Sequence, residues 1–246
     1  MTAPDPGRQE AFERGVTFLR DVTQSGQTVE AYLASHPEKR DPTVADDVHV
    51  FAVEALKAGR LDDAQLAAAI GGTLNMLLGR LSNAFEDREL SLQVDYQRAT
   101  TPEEYEKARE GFEELARRAT EAGEQRRALF ARAFMIQGSY FGSEAAQDPE
   151  ESGRWIRRGL GDLLDTLAGS PAPMSQEDAA LLMDFAFAPL DLASSKVWLE
   201  QRSVDALLRD VADAIEKHIP LDAPLSQDPQ RDAQIAAVLA RFSSRA

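Results

Sequence analysis

The sequence has no cysteine among its 246 residues. That absence removes disulfides, thiolate zinc sites, iron–sulfur ligation and cysteine nucleophiles in one step. Histidine is scarce too, with three residues in the whole chain, a thin endowment for acid–base or metal chemistry. No uncharged apolar run approaches the about 20 residues that a helix needs to cross a bilayer. The opening "MTAPDPGRQE" shows no basic segment followed by an apolar one, so a cytoplasmic protein is expected. Positive charge is in short supply, because 27 Lys and Arg face 42 Asp and Glu for a net charge of −15. Like charges repel, so neither nucleic acid nor an anionic membrane surface is an expected partner.

What is present is an ordinary globular balance, 43% apolar and 28% charged, enough to bury a core without staples. The breaks "GSPAPMS" and "PLDAPLSQDP" are too short to be free linkers. One domain over residues 8–246 is expected, after a disordered N-terminus at 1–7 that carries two prolines and no apolar stripe.

Helix starts dominate the pattern. Asp41-Pro42, Thr101-Pro102, Asp148-Pro149 and Asp228-Pro229 each put a side-chain oxygen at a cap position and a proline in the first turn, where its missing N–H costs nothing. Glu104 completes a capping box with Thr101. Val44, Val48, Phe51, Ala52 and Ala55 form an apolar stripe that runs into Gly59, and Tyr105, Ala108, Phe112, Leu115 and Ala119 form one that runs into Gly123. Asp62 and Gln65 offer a fresh cap after Gly59. Further helices are predicted near 8–24, 28–35, 62–81, 124–140, 149–168, 176–187, 203–219 and 229–243. The segment "LFARAFMIQGSYF" is apolar nearly all round and is expected at the centre of its neighbours. One stretch dissents: Leu90, Leu92, Val94 and Tyr96 alternate as a strand would. With no second strand to pair with it, a helix continuing from a cap at Asn83 or an irregular connector is favoured. The fold class is therefore all-α, about ten antiparallel helices arranged as stacked hairpins, in a repeat-like array or an irregular bundle, with no significant sheet.

The two glycine elbows share a pattern. "ALKAGRLDDA" and "ATEAGEQRRA" both place Ala three residues before a second Ala, then Gly, then Ala five residues on. They lie 64 residues apart, about twice the length of one repeat in a tetratricopeptide-type array. Over residues 43–140 the chain resembles that family, and Tyr105, Ala108, Phe112 and Leu115 are similar to its second helix. The resemblance implies stacked helix pairs with a groove for a peptide or protein partner. It departs from the family at Thr120, where the family has proline, and midway between the elbows, where "EDRELSLQVD" carries none.

Candidate chemistry is sparse. Asp46 and His49 share a helix face, but no second helix offers a matching Glu-x-x-His motif, and no metal or cofactor is expected. Asp46-Asp47 and Asp62-Asp63 lack the further acid that a magnesium-binding motif requires. His218 lies in a last helical turn and His36 precedes Pro37, both structural positions. Arg154, Arg157 and Arg158 cluster in "RWIRRG" as a possible anion site, although Glu150–Arg154 and Arg158–Asp162 spacing accounts for these charges as surface pairs. The apolar concentration Phe130, Phe134, Met135, Tyr140 and Phe141 with Met183, Phe185 and Phe187 is core, or the lining of a ligand pocket or partner groove. The leading expectation is a non-enzymatic interaction protein whose acidic surface favours a basic protein or peptide. The alternative is a small-molecule binder or enzyme with an apolar pocket at those Phe and Met residues.

Overall fold

Among the described residues the chain forms helices and turns and no strand. The computed structural model describes residues 6–220, 224–226 and 228–243. Its α-helices are α1 (Pro6–Ser25), α2 (Val29–Ser35), α3 (Pro42–Lys57), α4 (Leu61–Leu77), α5 (Leu81–Arg98) and α6 (Pro102–Glu121). They continue as α7 (Gln125–Ala145), α8 (Pro149–Ala168), α9 (Gln176–Ser195), α10 (Gln201–His218) and α11 (Pro229–Phe242), with a short 3-10 turn at Pro37–Lys39. Of the N-terminal segment expected to be disordered, residues 1–5 lie outside the described residues, and Pro6 and Gly7 open α1.

The helix starts follow their side-chain chemistry. Asp41, Asp148 and Asp228 sit in extended backbone and accept from the N–H two residues on, at 2.7, 2.9 and 2.9 Å, each followed by proline in the first turn. The alternating segment is helical. Leu90, Leu92, Val94 and Tyr96 are all buried in α5, but so are Glu89 just before them and Ser91 among them, and a helix covered on several faces shows no clean period of 3.6. Nor does α5 begin at Asn83; it opens at Leu81, two residues after Gly79. α9 outruns its expected end at 187, carrying Pro189 within the helix as far as Ser195.

Three elbows have the same atomic plan. Gly59, Gly79 and Gly123 hold φ of 70°, 70° and 79°, a left-handed region that a side chain resists and glycine enters freely. The residue after each glycine returns its N–H to a carbonyl five back: Arg60 to Ala55 at 2.9 Å, Arg80 to Asn75 at 2.9 Å, Glu124 to Ala119 at 2.8 Å. Its own carbonyl then accepts the first bond of the next helix, from Ala64, Ala84 and Ala128, each at 3.0 Å. Asp62 is thus a first-turn acid and not the cap expected from sequence, because Arg60 already holds that position.

The chain divides into two compact units, Met1–Arg98 and Ala99–Ala246. In the first, α3 packs on α1 and α4, and α4 on α5, around Phe18, Leu33, Val48 and Leu74. Arg14 on α1 forks onto the buried Asp47 of α3 at 2.7 and 2.9 Å, a bidentate bond that ties the two helices. In the second, α7 packs on α6, α8 and α9, with α10 against α8 and α11 against α9. Ile136, Ile156, Leu160 and Leu182 are among its core.

A methyl group at any of the three elbow glycines meets no atom within 4 Å, so only backbone strain opposes it. Gly59→Ala, Gly79→Ala and Gly123→Ala should each cost about 1–2 kcal/mol in urea denaturation. An unchanged midpoint at one of them would mean that the backbone there is free to leave the left-handed region.

Candidate functional site

One concavity that the sequence signals lead to lies on α6 and α8. Thr101 caps α6 through a reciprocal box: its Oγ1 accepts from the Glu104 N–H at 3.3 Å, and the Glu104 carboxylate accepts from the N–H groups of Thr100 at 2.7 Å and Thr101 at 3.2 Å. Those donors, led by the Thr100 N–H, hold the Glu104 carboxyl below the usual carboxylate range. α7 and α8 meet closely because Gly142 faces the Trp155 indole, where a Cβ would stand 2.4 Å from a ring carbon. Ser143 and Ser152 share a buried hydrogen bond of 2.7 Å beside this contact.

Between α6 and α8 lies a groove of about 540 Å³. Its α6 wall carries Glu103, Glu106 and Glu110 with Lys107; its α8 wall carries Arg154 and Arg158 with Glu151, and the buried Trp155 contributes to the lining. Arg158 reaches across, placing Nη1 2.7 and 2.6 Å from the two carboxylate oxygens of Glu106. Farther along the same helices Arg109 is buried, with Nη2 2.6 Å from Asp162 and Nη1 3.5 Å from Glu113. Its Nε and Nη1 make no hydrogen bond. Burial pushes the Asp162 carboxyl up, against the pull of Arg109. Among the described residues, Glu103, Lys107, Glu110, Glu151 and Arg154 form no ion pair within 4.0 Å.

The cluster "RWIRRG" is split by the helix: Arg154 and Arg158 line the groove, whereas Arg157 pairs with Glu200 at 3.1 Å. The expected i,i+4 partners are replaced by partners on other elements, Glu106 for Arg158 and Arg109 for Asp162. The aromatic set also divides. Phe130, Phe134 and Phe185 meet ring to ring at 5.1, 4.7 and 5.6 Å, and Phe112 stacks on Phe134 at 4.8 Å. Tyr140 and Phe141 form a second group with Tyr105. Phe187 lies under the Arg231 guanidinium at 5.8 Å, Met135 is buried, and Met183 is fully so.

His49 does not pair with Asp46, which takes Arg80 at 2.6 Å. Its Nδ1 lies 2.7 Å from the fully buried Asp87, whose second oxygen accepts from Asn75 Nδ2 at 2.8 Å. Asp87, Asn75 and Arg109 are the polar residues that sequence reading misses. Their only advance signal is a polar side chain on a helix face that the apolar neighbours claim. No family model and no curated protein sequence matches the chain.

Two outcomes test the polar contacts. Asp162→Ala leaves Arg109 buried without its partner and should cost about 3 kcal/mol or more, whereas Arg109→Met with Asp162→Leu should recover most of the loss; a urea double-mutant cycle reads both. A carboxyl lowered by folding contributes stability that is present above its unfolded value, about 4.3, and is lost as pH falls through its lower folded value. Glu104→Gln should therefore remove part of the acid-side loss of stability between those two pH values, measured by thermal melts across the acid range.

Proposed function

We propose that the chain is a non-enzymatic binding protein that receives a basic segment of a protein partner in the α6–α8 groove. The observation that carries this reading is the α6 wall, where Glu103, Glu106 and Glu110 recur at spacings of three and four, so that their carboxylates share one face of the helix. Among the described residues Glu103 and Glu110 form no ion pair, and Glu106 pairs with Arg158 across the groove. A lysine or arginine side chain laid along this wall finds carboxylates on either side of it. Arg154 on the facing wall repels a second cation and attracts an acid, which orients the segment. The net charge of −15 adds a longer-range attraction for such a partner. A groove between antiparallel helices is also the kind of surface that the resemblance to tetratricopeptide-type arrays over residues 43–140 implies.

Fluorescence anisotropy with a labelled lysine-rich peptide tests the reading. Binding should weaken strongly between roughly 0.05 and 0.5 M salt, and Glu103→Gln with Glu110→Gln should lower the affinity several-fold at the lower salt. A glutamate-rich peptide of the same length should not bind. Equal affinity of wild type and variant, or of the two peptides, would exclude the α6 wall as the recognition surface.

A further inference from the structure

The solvent face of α4 is apolar. Leu66, Met76 and Leu77 are 45%, 51% and 45% exposed, and no charged residue lies between Asp63 and Arg80. A surface helix ordinarily turns a polar face outward. Here Leu66, Ala69, Thr73 and Met76 follow one another at spacings of three and four, the seam by which one helix packs on another. Leu81, at the start of α5, is 37% exposed as well.

Charge indicates what covers this seam. Two chains of −15 repel each other over most approaches, and the uncharged run of α4 is where that repulsion is least. The ends of the run are also self-complementary. Asp62 and Asp63 stand at its N-terminal end and Arg80 just past its C-terminal end. In an antiparallel two-fold pair, the register that sets Leu66 against Leu77 of the partner subunit also sets Asp63 against Arg80 of the partner subunit. The two helix dipoles then run in opposite directions, a favourable alignment. Within one subunit Asp63 already meets Arg60, and Arg80 meets Asp46. A carboxylate and a guanidinium each have further oxygens and N–H groups to offer.

We infer that the α4 seam is the interface of a homodimer, an isologous contact between antiparallel copies of this helix. One helix pair makes a smaller contact than a standard interface of about 1,600 Å², so the dimer is reversible and concentration-dependent. Added salt strengthens it by screening the repulsion between like-charged chains.

Sedimentation equilibrium reads this directly. The mass should rise from 27.0 kDa toward twice that value with concentration, and further at higher salt; a monomer at every concentration and salt overturns the inference. Leu66→Glu with Leu77→Glu should remain monomeric with unchanged helical circular dichroism, and Asp63→Lys should weaken the dimer several-fold. A double variant that dimerises like the wild type overturns it. Because the chain has no cysteine, single thiols test the register. Thr73 lies close to the two-fold axis, whereas the two copies of Leu66 stand roughly 16 Å apart along the helices. Thr73→Cys should therefore oxidise to a covalent dimer and Leu66→Cys should not, and equal cross-linking at both positions overturns the antiparallel register.

Discussion

At Gly59, Gly79 and Gly123 the chain turns through a left-handed glycine, and the next N–H returns to a carbonyl five residues back. Much of the rest depends on that closure. The same residue that satisfies the end of one helix offers the carbonyl that begins the next, so the connection contains no slack. A helix that restarts within three residues can only run back along its predecessor, and α3 with α4, α4 with α5, and α6 with α7 do so. The Asp148 cap produces the same reversal between α7 and α8 by a different device. α6 and α8 thus lie on either side of α7, and the groove is the space left between two helices that share a neighbour.

Packing alone does not fix how wide that space is. Polar ties do. Arg109 and Asp162 bridge α6 and α8 at one end, and Arg158 and Glu106 bridge them within the groove. The buried bridge adds little net stability, since the cost of stripping water from both charges offsets their attraction; the raised carboxyl of Asp162 reflects that cost. What the bridge does is select one spacing, because a buried guanidinium that slips away from its carboxylate loses far more than an apolar pair would. In the first unit the buried Asp87 acts in a similar way, holding His49 of α3 and Asn75 of α4 to α5.

Local chemistry was the legible part of the sequence. Caps at Asp41, Thr101, Asp148 and Asp228, and the elbows at Gly59 and Gly123, depend on residues a few positions apart, and the structure has them where those residues stand. The elbow at Gly79 has identical geometry and escaped notice because Asn75 and Leu78 replace the alanines that marked the other two. The motif is the glycine and the returning N–H, and the flanking alanines are incidental to it. α5 was ambiguous for a related reason: a helix enclosed on several sides loses the polar face that makes its period visible. The groove was less legible still. Arg157 and Arg158 are adjacent in sequence, yet their partners Glu200 and Glu106 are 43 and 52 residues away, and no local pattern encodes a pairing between helices.

Charge in this chain is distributed by task. Where two helices must be held at a fixed spacing, an ion pair or a buried carboxylate does it, and the partners are on different elements. Where a surface is a plain solvated face, charges pair along one helix, as Arg117 does with Glu114 and Glu121, and contribute little. The uncommitted Glu103 and Glu110 of the α6 wall fit neither pattern, because they line a concavity and, among the described residues, form no ion pair. The α4 seam departs in the opposite sense, since a chain with so large an excess of acid carries none along α4 beyond its first turn. A solvated helix gains nothing from carrying leucine and methionine outward in place of lysine or glutamate, so both departures are intelligible as places where the protein's own packing ends and that of another chain begins.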